Sequence, residues 1–267
     1  MQAIPFDVIA NLMVKNEAPV IEKTLDNFKF IKFWLITDTG STDKTIIKIK
    51  KWFRRHPENR YKMFKRPFVD FATNRNQLLF ESCKIYSRYV MVVDAGDDCE
   101  NIEKLDDILK EDFDIAYLNC VVPQKAGDDK NTLQGRIFKN YAYPQLFYRY
   151  KVHENVVPQP GWILKRYADE QDFKIIHDYS KDTSSVARLK RDINLLKTEL
   201  NRVDYDQHDK KHLHQHLCKT LTTLRMKEEF DAEMLELIKT MAIKTVPIEE
   251  IKDYKKVSLN DLHKTSI

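Results

Sequence analysis

Five short runs of aliphatic, β-branched and aromatic residues, at 8–14, 33–37, 61–64, 89–93 and 115–121, constrain the first half of this chain most strongly. Each is apolar on consecutive positions rather than alternate ones, the pattern of strands covered on both faces. Between them, residues 17–28, 43–53 and 71–86 carry apolar side chains at helical spacing. Ser41, Thr42 and Asp43 precede the second of these helices and offer side-chain caps for its orphan amides. Strand and helix in alternation predict an α/β fold with a mostly parallel sheet and helices on both sides.

Beyond Val122 the pattern changes. Residues 133–138, 145–150 and 173–177 predict shorter strands, separated by loops containing Pro144, Pro158 and Pro160. From about Ser185 the chain turns helical. Val186, Leu189, Ile193, Leu196 and Leu200 step along one face, as do Leu213, Leu217, Leu221 and Leu224, then Phe230, Met234, Leu237 and Met241. The expected organisation is one α/β domain over 1–184 and a small helical appendage over 185–267.

Composition excludes several classes. With 42% hydrophobic and 11% aromatic residues the 267-residue chain can fill a core, so it is not a disordered segment. A net charge of +4 gives no case for a nucleic-acid partner. Cys83, Cys99, Cys120 and Cys218 are scattered without a CxxC pair, which predicts free thiols in a reducing compartment. The first residues lack the basic start and apolar stretch of a signal peptide, and no apolar run is long enough to span a bilayer. A soluble, cytoplasmic protein is expected.

In an open α/β sheet, ligands bind beyond the C-terminal ends of the strands. Three predicted strands end in acidic turns: Val14-Lys15-Asn16-Glu17, then Asp38 to Thr45, then Asp94-Ala95-Gly96-Asp97-Asp98. Carboxylates gathered at the end of a buried strand are costly unless donors or a cation satisfy them. A hard divalent cation would do so and would also bridge diphosphate oxygens.

These segments together resemble the family-2 glycosyltransferases of GT-A (Rossmann-like) fold. Lys15-Asn16-Glu17 and Asp38-Thr39-Gly40-Ser41-Thr42-Asp43-Lys44-Thr45 resemble the family's "KNE" and "DTGSTDGT" turns. Phe71 to Asn76 resembles its "F-x-x-x-RN" helix start, Asp94 to Asp98 stands where its DxD motif belongs, and Gly135 to Asn140 resembles "pRlFrn". Val152-His153-Glu154 resembles "VHE", Ile176-His177-Asp178-Tyr179 resembles "hHyGy", and Arg188 to Leu200 resembles a helix that follows in the family. The resemblance is ordered and spans roughly residues 8–200.

It implies an inverting transfer of sugar from a UDP- or GDP-linked donor to an acceptor hydroxyl, assisted by Mn2+ or Mg2+. Glu17, Asp38, Asp43, Arg75 and Asp94 would bind the nucleotide-sugar. The third DxD place holds Gly96, so Asp97 or Asp98 would ligate the metal, with His153 and His177 as further candidates. Glu154 would be the catalytic base, or Asp97 or Asp98 if the metal ligand is another residue. The acceptor, whether glycan, protein or lipid, has no readable code; Tyr141, Tyr143, Trp162 and Tyr167 could stack on sugar rings. Two other functions compete: a non-catalytic binding or scaffold protein, and a sugar-nucleotide nucleotidyltransferase. The latter would carry a Gly-rich loop where Lys15 to Pro19 stands. His208, His212 and His216, four apart, fit a solvated helical face, and the basic run Lys48 to Arg55 fits the charged outer side of an amphipathic helix.

Overall fold

The computed structural model describes residues 6–123, 130–140, 143, 145–158, 164–169, 171–177 and 186–224, with 226, 229, 232, 233 and 236 beyond them. The chain divides into two compact units: Met1–Arg149 with Glu154–Thr183, and Tyr150–His153 with Ser184–Ile267.

In the first unit the predicted alternation is present: β1 (Phe6–Val14), α1 (Ile21–Asn27), β2 (Phe33–Asp38), α2 (Thr45–Arg55), β3 (Arg60–Lys65), α3 (Phe71–Ser82) and β4 (Ser87–Asp94). After these come β5 (Asp97–Glu100), α4 (Leu105–Lys110), β6 (Ile115–Val122), β7 (Lys130–Lys139), β8 (Leu146–Arg149), β9 (Asn155–Pro158), β10 (Lys165–Tyr167) and β11 (Lys174–His177). The large sheet runs β3-β2-β1-β4-β7-β6-β11-β5, with β10 also on β6, and β8 pairs with β9 in a separate hairpin. The strands β3, β2, β1 and β4 are parallel; β7 runs against both β4 and β6.

The unbroken apolar runs follow from cover on both faces. Ala10, Leu12, Trp34, Ile36, Met91 and Val93 pack against α1, α2 and α4, where Leu25, Trp52 and Ile108 are fully buried. Their neighbours Ile9, Leu35, Val90 and Val92 face the other way, onto Ala72, Leu78 and Leu79 of α3 and Leu146 and Tyr148 of β8. Each strand buries alternate residues in two separate cores, so neither face tolerates a polar alternation.

The capping expectation for α2 is met by Asp43 alone of the three residues. The residue at its N-cap is Lys44, whose side chain makes no cap bond. Asp43 Oδ1 instead accepts from Thr45 N at 2.9 Å, while the hydroxyls of Ser41 and Thr42 turn back toward Asn16. Asp43 thus caps the first amide of α2, and with Ser41 and Thr42 it also ties the two loops together.

In the second unit, α5 (Val186–Leu200) buries Ile193 and Leu196, and α6 (Gln207–Thr223) buries Leu213, Leu217 and Leu221. Asp206 and Asp209 form a capping box at the start of α6. The third predicted stripe, Phe230 to Met241, lies outside the described residues. Among the described residues no helix is long and apolar enough to cross a membrane.

Candidate active site

Strand register decides which side chains meet. Val14 is opposite Asp38 and Met13 opposite Asp94, so β2 and β4 deliver carboxylates to either side of the end of β1. The two loops that follow β1 and β2 are knitted together. Asn16 has φ 59°, a left-handed conformation that asparagine tolerates better than most residues. Its Oδ1 accepts from Thr42 N at 2.7 Å, and Ser41 Oγ accepts from Asn16 N at 3.0 Å. Glu17 N donates to Thr45 Oγ1 at 2.7 Å, and Ala18 N to Asp43 Oδ2 at 3.1 Å. Asp38 is buried, and its Oδ1 accepts from Ser41 N at 2.8 Å, a turn that Gly40 permits with φ 109°.

Helix α3 begins at Asp70, whose carboxylate accepts from Thr73 N and from the Thr73 hydroxyl. That cap fixes the turn carrying Arg75 and Asn76. The Asn76 amide exchanges two bonds with the Tyr148 backbone, at 2.8 and 2.9 Å, and so pins β8 beside α3. Arg75 then lies 5.5 Å from the Tyr148 ring, donates from Nε to Glu154 Oε1 at 2.6 Å, and from Nη2 to Asp94 Oδ1 at 2.9 Å.

A second guanidinium completes the cluster. Arg136 on β7 is buried, and its Nη1 is 2.8 Å from Asp94 Oδ2 and 3.5 Å from Asp97 Oδ2. Asp97 Oδ2 also accepts from Asp94 N at 2.8 Å, and Asp97 Oδ1 meets His177 Nδ1. That last contact follows from register, because β5 and β11 pair antiparallel with Asp97 opposite His177. Gly96, with φ 100°, lets the chain turn from β4 straight into β5.

The electrostatics are those of a tightly compensated network. Burial alone would raise the Asp94 pKa, but Arg75, Arg136 and His177 hold it far below the usual carboxylate range. Burial opposes the charge on Arg75, and Asp94 and Glu154 override it. For His177, burial favours the neutral ring, while the Asp97 hydrogen bond and the charges of Asp97 and Asp94 raise its pKa. The His177 contribution to stability is therefore fully present below the ordinary histidine pKa and is lost as pH rises through the raised one. In metal-free buffer, melting temperature of the wild type should decline as pH rises from the ordinary histidine pKa through the raised one. The His177→Asn variant should lack that part of the decline; parallel pH profiles of the two proteins would contradict the assignment.

Of the residues expected at the site, Arg75, Asp94, Asp97, Glu154 and His177 come together in this network. Glu17, Asp38 and Asp43 belong to the knitted loops at the ends of β1 and β2. Asp98 is placed elsewhere: it pairs with exposed Lys23 at 3.2 Å, and its Oδ1 accepts from Cys99 N. His153 falls in the second unit, where its ring stacks on His216 at 3.9 Å. His216 and His212 are also in ring contact, at 4.5 Å, so these two are not freely solvated. Tyr167 stacks on Tyr117 at 5.0 Å and Tyr143 meets Phe80 edge-on, while Tyr141 and Trp162 lie outside the described residues. Sequence reasoning gave no role to Arg136 or Tyr148. An arginine within the apolar segment of Gly135 to Phe138 was the available signal, since a buried guanidinium needs a carboxylate partner.

Among the described residues, Asp94, Asp97 and His177 form the group that could hold a metal ion, with one ligand atom of each lying within 4.8 Å of the others. Two carboxylates and an imidazole suit a divalent cation such as Mn2+. The donor set fits, although Arg136 and the His177 proton occupy part of the same space and would have to yield.

No family model and no curated protein matches the sequence. Comparison with solved structures is informative. A mannosyltransferase from Pyrobaculum calidifontis, solved with GDP-Man and Mn2+, aligns over 91% of this chain and 77% of its own, with 15% identity and a TM-score of 0.54. GalNAc-T7, solved with UDP, GalNAc and Mn2+, aligns over 90% of this chain and 58% of its own at 11% identity and a lower TM-score, 0.48. The chain has the GT-A fold. That fold is the mixed sheet described above, flanked by helices and presenting the acidic rim of β2 and β4.

Proposed function

We propose that this GT-A protein is a glycosyltransferase that moves a sugar from a nucleotide-diphospho-sugar to an acceptor hydroxyl with inversion. The observation that carries the proposal is the partly buried chain of charge from Glu154 through Arg75, Asp94 and Arg136 to Asp97 and His177, at the rim where β4 ends. Three carboxylates, two guanidinium groups and an imidazole gather around one strand end, and fields of this kind recur where charge develops in a reaction.

In this reading the loops after β1 and β2, held by Asn16, Asp38 and Asp43, receive the nucleoside. Arg75 faces the diphosphate, where a guanidinium matches phosphate oxygens two at a time. Asp94 orients the sugar. A divalent cation, held by Asp94, Asp97 and His177, would supply charge compensation to the departing diphosphate. Glu154 takes the proton from the acceptor hydroxyl as its oxygen bonds to the anomeric carbon and the bond to the diphosphate breaks. Asp97 is a poor alternative base, because its side chain is fully buried and already bonded to His177 and Asp94 N. The mannosyltransferase sharing this fold was solved with GDP-Man and Mn2+, which supports the donor class and the cation.

One observation favours a second reading as a binding scaffold: both oxygens of Asp94 are already held by guanidinium groups. Donor hydrolysis separates the two. UDP- and GDP-sugars are supplied with and without manganese, and nucleotide binding is followed in parallel by thermal shift. The enzyme should turn over at least one donor in a metal-dependent manner. Nucleotide binding without turnover of any donor would favour the scaffold, and no nucleotide binding at all would remove both nucleotide roles.

A further inference from the structure

The basic surplus of this chain is concentrated in one place. The 23 residues from Lys44 to Arg66 hold ten Lys and Arg against a single carboxylate, Glu58, a surplus of nine in a chain whose net charge is +4. Everything outside that segment therefore sums to −5. Helix α2 turns Thr45, Ile49, Trp52 and Phe53 into the core. Positions three before and three, four and seven after Ile47 lie on its own side of the helix, away from that core. They are Lys44, Lys50, Lys51 and Arg54, all exposed, and Ile47 stands among them 63% exposed. Arg54 folds along this face, its Nε 3.4 Å from Lys50 O. Glu22 pairs with Lys48 and Arg55 at the flank and does not reach the four central bases.

We propose that the outer face of α2 is a docking surface for an anionic lipid bilayer, with Ile47 entering the headgroup layer and Lys44, Lys50, Lys51 and Arg54 meeting the lipid phosphates. Charge complementarity selects an anionic partner, and the apolar residue at the centre selects a bilayer. A face for single-stranded nucleic acid would instead present aromatic side chains for base stacking, and this face has none. The inference does not depend on the catalytic reading, because Ile47, Lys50, Lys51 and Arg54, the residues changed in the test, lie on α2 outside the rim, and only Lys44 borders the loop after β2.

The test is co-sedimentation of the full chain with vesicles of phosphatidylcholine alone and of equal parts phosphatidylcholine and phosphatidylglycerol. Binding should require phosphatidylglycerol and weaken as salt is added. The triple change Lys50→Ala, Lys51→Ala and Arg54→Ala should weaken it roughly 100-fold, at about fivefold per basic residue. A control triple with the same charge change, Lys29→Ala, Lys32→Ala and Lys104→Ala, should bind as the wild type does. Ile47→Ser should lose the binding that persists at high salt, and because all these positions are exposed, melting temperatures should be unchanged. Absence of binding to the anionic vesicles overturns the proposal. So does equal loss in the control triple, or tighter binding of single-stranded RNA through the same residues.

Discussion

Replacing Arg136 with methionine is expected to lower folding stability by about 3–5 kcal/mol, the usual result of stripping one partner from a buried ion pair. The effect should be large because Arg136 serves two acids. Its loss leaves Asp97, with a fully buried side chain, and Asp94 facing each other with one cation fewer. Methionine keeps the volume and removes only the charge, so a cavity contributes little. Urea unfolding reads the change as a lower midpoint with an unchanged slope. Manganese should then stabilise the variant more than it stabilises the wild type, because ligand-linked stabilisation grows with affinity and Arg136 no longer competes for the same carboxylates. An unchanged midpoint would show that the network is not the structural centre of the rim.

Glu154→Gln should leave nucleotide-sugar binding intact and reduce transfer roughly 10²–10⁴-fold, the range for loss of a positioned general base. The amide can still accept from Arg75 Nε, so the 2.6 Å contact that orients the guanidinium survives the substitution. Donor affinity by calorimetry and transfer under saturating donor separate the two effects. Full transfer activity in this variant would remove Glu154 from the role and return attention to the rest of the rim.

The sequence carried much of the architecture because the physics there is local. Strands β1, β2, β4 and β6 are buried on both faces and announce themselves as continuous apolar runs. Strand β5 gives no such sign. Asp97-Asp98-Cys99-Glu100 has little intrinsic preference for an extended chain, and it is held as a strand by antiparallel pairing with β11, some eighty residues away. For that reason Asp97 and Asp98, which look equivalent in a supposed turn, part company: alternation sends one inward to His177 and the other out to Lys23. Asp38, Arg75 and Asp94 could be singled out from strand ends and motif order. Arg136 could not be ranked in the same way, since its partners are fixed by the register of β7 against β4. Cys99 illustrates the same limit, for burial and the neighbouring Asp98 and Asp97 push its thiol up to about 12, a value no spacing predicts.

The short passage between β8 and β9 has a consequence for how this chain can be taken apart. Tyr150 and His153 both adopt left-handed backbone, with φ 71° and 54°, at a cost of about 1–3 kcal/mol each for such residues. The strain is held by the helical unit: Tyr150 Oη donates to Asp209 Oδ1 at 2.6 Å, and Lys151 N to Glu199 Oε2 at 2.6 Å. The helices are thus not an interchangeable module. Grafting another C-terminal segment in their place would have to reproduce Glu199 and Asp209, or Tyr150 and Lys151 would lose the partners that hold this strained backbone.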